Sequence, residues 1–329
     1  GVRCISRAKS VALVCVASIS LFTGGCIGGK GATPVTAYEL KNYNQDLYQG
    51  KLYAEELCVA QNDVALEGYT EDTELHSAAL FDLTGERVLY SYKAHERLYP
   101  ASTTKIMTAL LAIENANLDD QVTISGNADA SSFPADAQVC GLAKGEVWTL
   151  RDLLGALLLY SGNDAATAIA EYVGGSEEAF VNMMNRRAQE LMANGTHFMN
   201  PHGLHDDNHY TTAYDLYLIF NECIKHEDFV NIIQSEAYTA YYTDVDGNSQ
   251  EALFTPTNLY AQGEVDVPEN VTIVGGKTGT TDEAGYCLIL MEKDSSDNPY
   301  ISIVMGASEK PVLYEDMTSL IEAIPSGQQ

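Results

Sequence analysis

The hydrophobic pattern changes period twice along the chain. From Ala78, AALFDL, a Thr84-Gly85 turn and RVLYSY read as a β-hairpin, with aromatic and β-branched residues on either side of the turn. After Pro100 the repeat becomes helical: Ile106, Met107, Leu110, Leu111 and Ile113 recur at steps of three and four, with Ser102 in the first turn. From Tyr238 the pattern changes to alternating short runs, YTAYYT, LFTPTN, VTIVGG, YCLILME and YISIVMGA, with a turn at Asp246-Gly247. Strands at both ends of a helical middle predict an α+β fold. The N- and C-terminal strands are expected to share one antiparallel sheet flanked by helices, with an all-helical lobe inserted over about residues 120–235.

Inside that lobe the run after Thr149, LRDLLGALLLY, is so apolar that protein must nearly surround it, and it stops at Ser161-Gly162-Asn163. Helix resumes over 164–173. Ser176 is expected to cap a longer helix closing at Gly195, and Thr212 with Asp215 forms a capping box for the next. No internal repeat is visible.

The first residues read as an export signal. Arg3, Arg7 and Lys9 precede the apolar run from Val11 to Phe22, which is shorter than the roughly 20 residues a membrane span needs. Thr23, Gly24 and Gly25 then lead to Cys26, where lipoprotein signals carry their acceptor cysteine. The expected organisation is a signal over 1–25, a Gly-rich lipid-anchored tether over 26–36, an N-terminal extension over 37–75 and a main domain over 76–329, outside the cytoplasm. A secreted form cut near Gly25 is the alternative. Cys58, Cys140, Cys223 and Cys287 are widely spaced with no CxxC pair, so free thiols are expected.

With 18 Lys+Arg against 46 Asp+Glu, the formal charge of −28 repels phosphate backbones, which excludes nucleic-acid binding. At 46% hydrophobic and 19% charged residues, the composition also excludes a disordered or coiled-coil chain.

Three short motifs occur in order. Ser102-Thr103-Thr104-Lys105 is SxxK, whose first and last side chains share a helix face, setting a hydroxyl beside an amine. Such a motif arises by chance in a chain of this length, and Ser6 to Lys9 is another. Ser161-Gly162-Asn163 breaks an apolar helix with two hydrogen-bonding side chains, otherwise a plain kink. Lys277-Thr278-Gly279 follows VTIVGG, where Gly275, Gly276 and Gly279 would let a ligand backbone lie along a strand. The three together are far more specific than any one.

On these motifs, and on PASTTKIMTALL, LLYSGNDAATAIA, NPHGL, HYTTAYDL and GGKTGTT, the chain from about Ala78 to Ala307 resembles the serine β-lactamase and penicillin-binding protein superfamily. It is most similar to the low-molecular-mass penicillin-binding proteins that are D-alanyl-D-alanine carboxypeptidases. The resemblance implies a β-lactamase/transpeptidase-like fold and hydrolysis of the terminal D-Ala from peptidoglycan stem pentapeptides, with β-lactam antibiotics as acylating inhibitors. It implies Ser102 as nucleophile, Lys105 as a base kept neutral by burial and by Lys277, and Ser161 as proton relay. Asn163 would hold the substrate amide and Lys105, while Lys277, Thr278 and Thr280 would receive the terminal carboxylate. Backbone N–H groups of Ser102 and Thr280 would form an oxyanion hole, with Gly279 leaving room for it. No metal or organic cofactor is implied. The family's arginine after the last core strand has no counterpart, since no Arg follows Arg187; Lys310 is the candidate substitute. The lipid at Cys26 would stand in for the C-terminal anchor that many relatives carry.

Two other functions compete: a class A-like β-lactamase, although Gly162 replaces the central Asp of its SDN motif, and a non-catalytic β-lactam-sensing or wall-binding lipoprotein. Glu190 to Asn194, ExxxN, is read as a solvated helix face. The histidines at 197, 202, 205 and 209 lack HExxH spacing and are read as a structural loop near the cleft, not a metal cluster.

Overall fold

The computed structural model describes residues 56–65 and 76–326. The expected signal, the tether with Cys26 and all of the 37–75 extension except 56–65 lie outside the described residues.

A hairpin of β1 (Ser77–Asp82) and β2 (Arg87–Tyr92) leads to a tight turn of 3-10 helix, Ala101–Thr104, and then to α1 (Lys105–Asn115). The lobe follows: β3 (Gln121–Thr123), β4 (Val147–Thr149), α2 (Leu150–Gly155), α3 (Asn163–Gly174), α4 (Glu177–Glu190), α5 (Ala213–Cys223) and α6 (Glu227–Ile233). The chain closes with β5 (Tyr238–Thr243), β6 (Ser249–Phe254), β7 (Thr272–Thr281), β8 (Gly285–Lys293), β9 (Pro299–Ala307) and α7 (Lys310–Glu322).

The terminal strands do share one antiparallel sheet, in the order β2-β1-β9-β8-β7, with Ala79 opposite Ile303 and Ile303 opposite Ile289. Alternation sorts its side chains to two faces. Phe81, Ile289, Ile301 and Met305 pack against the lobe, whereas Leu80, Leu288, Leu290 and Val304 pack under Leu313, Met317 and Leu320 of α7. Strand β7 is the free edge on one side. On the other edge the segment 56–65 adds a bridge, Val64 exchanging backbone hydrogen bonds with Ser91 at 2.9 and 3.0 Å. Two tyrosine hydroxyls of α5 hold that segment: Tyr217 accepts from Cys58 N–H at 2.9 Å and Tyr214 donates to Cys58 O at 2.8 Å.

The lobe differs from the all-helical expectation. Its short strands β3 and β4 join β5 and β6 in a second sheet, order β3-β4-β5-β6, so the first trailing strands do not enter the main sheet. Trp148, stacked on Tyr242 at 4.4 Å, seals that junction. Three-residue strands carry too little alternation to be read in a sequence. Helix α4 also stops at Glu190, five residues before Gly195: Met192 turns left-handed at φ 60° and Ala193 N–H reaches back to Ala188 O at 2.8 Å. Gly195 itself lies in the next loop and donates to Asp215 at 2.9 Å. The caps at Ser176 and Thr212 are present, each hydroxyl accepting the N–H three residues on. The Asp215 carboxylate ties α5 to Gly195 and Thr196, and burial pushes its pKa up to about 6. Cys58, Cys140, Cys223 and Cys287 are free thiols.

Candidate active site

The turn Ala101–Thr104 presents Ser102 at the mouth of α1, and three close contacts fix it. Pro100 O accepts from Thr103 N–H at 3.2 Å and from Thr103 Oγ1 at 2.6 Å. Behind the turn, a β-carbon on Gly203 would stand 1.9 Å from Ala101 O. In front, one on Gly279 would stand 2.9 Å from the backbone nitrogens of Ser102 and Thr103. Gly279 therefore lets β7 lie directly on the Ser102 turn. Gly276 and Gly275 make the equivalent approach to Ile289 O of β8 and Ile233 O of α6. These glycines let β7 pack closely against the Ser102 turn, β8 and α6.

Lys105 begins α1 and is fully buried. Its Nζ lies 2.8 Å from Ser102 Oγ, 2.7 Å from Asn163 Oδ1 and 2.8 Å from the carbonyl oxygen of His202. Desolvation, with the neighbouring Lys277 charge second, holds its pKa well below the ordinary lysine value. The third acceptor comes from the NPHGL loop. Asn200 organises that loop, its Oδ1 accepting from His202 and Gly203 N–H and its Nδ2 donating to Leu204 O. Thr108 of α1 donates to Pro201 O at 2.6 Å. His209 accepts from Met199 N–H through Nδ1 at 2.9 Å, so its Nε2 carries the proton that meets Thr104 Oγ1 at 2.7 Å. Burial depresses His202 to about 3 and His209 to about 4, keeping both neutral.

Ser161 sits where the apolar helix fails. After α2 one wide π-type turn, Ala156–Tyr160, ends in Ser161 at φ 65°, and Gly162 N–H returns to Ala156 O at 3.2 Å. α3 restarts at Asn163, whose N–H donates to Gln138 O at 2.9 Å. The fully buried Asp164 carboxylate accepts from the N–H groups of Cys140, Gly141 and Leu142 at 2.9–3.0 Å, pinning their loop over the break.

From β7, Lys277 reaches Ser161 Oγ at 3.0 Å and Thr278 O at 2.8 Å. It is 2% exposed, and burial pushes its pKa down to about 7. The half-buried Thr278 hydroxyl lies 2.6 Å from that of Thr257, and Thr280 is exposed.

Ser102, Lys105 and Asn163 thus form one hydrogen-bonded group, and Ser161 with Lys277 a second beside it. Lys310, at the start of α7, is exposed. Glu190, the first residue of ExxxN, pairs with Arg187 on the surface at 3.2 Å. Sequence reasoning missed the His202 carbonyl, Asp164 and Thr257. The first two lie in strings the motifs had already marked, NPHGL and SGNDAA; Thr257 carries no local signal.

The family model for D-alanyl-D-alanine carboxypeptidase, Peptidase S11, matches residues 65–309. Over 254 residues the chain is 34% identical to D-alanyl-D-alanine carboxypeptidase DacF of Bacillus subtilis, covering 76% of this chain and 61% of the relative. It is 32% identical over 244 residues to a D-alanyl-D-alanine carboxypeptidase of Streptomyces strain K15, covering 71% and 81%. The crystal structure of the Streptomyces K15 DD-transpeptidase superposes with a TM-score of 0.71 at 28% identity, over 78% of this chain and 98% of that one. The chain spans about three fifths of the length of the first curated relatives it matches, 61% and 59%. By motif, fold and family match, the chain belongs to the D-alanyl-D-alanine carboxypeptidase family, Peptidase S11.

Proposed function

We propose that this chain is a serine carboxypeptidase that hydrolyses the terminal D-Ala from peptidoglycan stem pentapeptides through an acyl-enzyme on Ser102. One observation carries the reading: Lys105 Nζ has three oxygen neighbours within 2.8 Å, and only Ser102 Oγ bears a proton. A neutral amine has two N–H bonds and one lone pair. Asn163 Oδ1 and the His202 carbonyl can only accept, so they take the two N–H bonds and leave the lone pair to the Ser102 hydroxyl. Burial beside Lys277 favours this neutral form.

In this mechanism Lys105 takes the Ser102 proton as Oγ attacks the carbonyl between the two D-alanines. The N–H groups of Ser102 and Thr280 meet the developing oxyanion. Ser161, hydrogen-bonded to Lys277, gives its hydroxyl proton to the leaving amine and regains one from Lys105, which returns to its neutral form as D-alanine departs. Water then attacks the acyl-enzyme, releasing the shortened peptide and restoring the Ser102 hydroxyl. Asn163 holds the substrate amide, and Lys277, Thr278 and Thr280 form the seat of the terminal carboxylate, with Gly279 keeping β7 against the nucleophile. β-Lactams acylate the same hydroxyl.

The same reading places the catalytic domain over 76–329 and the enzyme outside the cytoplasm, held to the membrane by a lipid on Cys26. Metabolic labelling with a fatty acid, lost in Cys26→Ala, tests the anchor; an unlabelled protein cut near Gly25 would favour secretion.

The activity is tested by incubating wild type and Ser102→Ala with a fluorescent penicillin and with a peptide ending in D-Ala-D-Ala. Wild type is expected to form a long-lived adduct and release D-alanine, and Ser102→Ala to do neither. Rapid penicillin turnover by wild type would replace this reading with a β-lactamase, and inertness toward both compounds with a non-catalytic protein.

A further inference from the structure

The seat of the terminal carboxylate is short of free cations. Lys277 is 2% exposed, with two of its protons facing Ser161 Oγ and Thr278 O. Beyond Arg187 the Lys and Arg side chains are Lys225, Lys277, Lys293 and Lys310. Lys225 is paired with Glu222 at 2.8 Å, and Lys293 lies opposite Thr272, at the far end of the β7–β8 pair from Thr280. Lys310 is exposed on α7, whereas β7 is separated from β9 by β8. Among the residues after Arg187, direct contact with a carboxylate at Thr278 therefore falls largely on hydroxyl groups.

One hydroxyl not marked by any motif is built into this place. Thr257 Oγ1 lies 2.6 Å from Thr278 Oγ1. Its segment is held rigidly: Pro256 O accepts from Gln262 Nε2 at 3.1 Å, and the buried Asn258 accepts from Ala261 N–H through its side chain at 2.8 Å. Just upstream, the Phe254 ring packs on Tyr160, the residue before Ser161, at 5.9 Å. The loop after β6 is thus fixed between the helix break and the edge strand.

We propose that Thr257 is a positioning residue for the substrate carboxylate, donating its hydroxyl proton to Thr278 Oγ1 so that the Thr278 proton is free to point at the ligand. Two hydroxyls at this separation share one proton between them, and either can be the donor. A carboxylate only accepts. It selects the arrangement in which Thr257 donates to Thr278 and Thr278 donates outward, a two-step chain that strengthens the bond to the charged group. Because the carboxylate is present in both the bound substrate and the transition state, this chain contributes to binding rather than to the chemical step.

The inference rests on the carboxypeptidase reading, and the test separates the two. Wild type, Thr257→Val and Thr257→Ser are compared on an N-acetylated peptide ending in D-Ala-D-Ala and on its C-terminal amide. Thr257→Val is expected to raise KM for the acid by about three- to tenfold with kcat unchanged, to leave the amide unaffected, and to be rescued by Thr257→Ser. An unchanged KM for the acid, or an equal loss on acid and amide, overturns the role of Thr257 while leaving the activity standing. A merely structural effect would produce that equal loss. If wild type releases no D-alanine, the carboxypeptidase reading fails and this assignment falls with it.

Discussion

Lys277 Nζ meets Ser161 Oγ at 3.0 Å, joining the free edge of the main sheet to the point where the lobe's most apolar helix breaks. The buried ammonium has a pKa of about 7, so near neutrality it is poised between its two forms. Carboxylate capture requires the charged form, and the lowered pKa means that this form is lost as pH rises through about 7. The kcat/KM for D-alanine release should therefore fall on the alkaline side near pH 7. Lys277→Arg, which stays charged, should abolish that limb at the cost of overall activity, and Lys277→Ala should lower kcat/KM about 100-fold or more. A pH–rate profile for each variant checks this.

Lys105 Nζ is hydrogen-bonded to the carbonyl of His202, in a loop held by Asn200, and the proton-accepting role proposed for Lys105 draws on this bond. Asn200→Ala removes three bonds that shape the His202 loop. It is expected to lower kcat by about 10- to 100-fold through misalignment of Lys105, with little change in KM. Steady-state kinetics on the D-Ala-D-Ala peptide would read this split.

Gly162 stands where class A β-lactamases carry Asp, and packing explains it. A β-carbon there would lie 2.1 Å from Cys140 Sγ. Gly162→Ala should destabilise the fold by about 1–3 kcal/mol, and adding Cys140→Ala should recover most of the loss. Chemical denaturation of the single and double variants measures the coupling.

Gly279→Ala drives a methyl group into the backbone of Ser102 and Thr103, both 2.9 Å away. Acylation by a fluorescent penicillin should slow by about 100-fold or more, because a shift of roughly 1 Å between nucleophile and oxyanion donors is that costly. Stopped-flow acylation rates provide the check.

Glu292 is fully buried between the sheet and α7, with Ser302 bonded to Oε1 and no partner on Oε2. Desolvation raises its pKa well above the ordinary carboxylate value. Between the unfolded and folded pKa values the folded protein binds the extra proton, so its stability falls as pH rises through that window. Glu292→Gln should raise Tm at pH 7–8 and change it little near pH 4. Melting curves across that range test the sign.

Much of this site was legible because its chemistry is local. Ser102 and Lys105 are one helical turn apart, Ser161 to Asn163 interrupts an apolar run, and Lys277 follows the apolar run VTIVGG, so the three motifs in order marked the site. The sheet of terminal strands followed from short apolar runs such as Leu288 to Leu290 and alternation such as Ile301 to Ile303. What stayed hidden depends on partners distant in sequence. The His202 carbonyl has no side-chain signature, Thr257 matters through its contact with Thr278, and β3 and β4 are strands only because β5 and Trp148 pair and stack there. The close packing at Gly162, Gly276 and Gly279 was likewise hidden, because Cys140, β8 and the Ser102 turn that a β-carbon would strike are distant in sequence or set by pairing.

The bridge between Val64 and Ser91 is remote from β7. It enters the main sheet at β2, whereas Lys277 and Thr278 stand on β7, four strand spacings away, about 19 Å across the sheet. The segment 56–65 is held at two places, by α5 at Cys58 and by the outer edge of the sheet at Val64, and β7 lies on the opposite edge. The contacts that hold residues 56–65 and the strand that carries Lys277 and Thr278 thus occupy opposite flanks of one sheet.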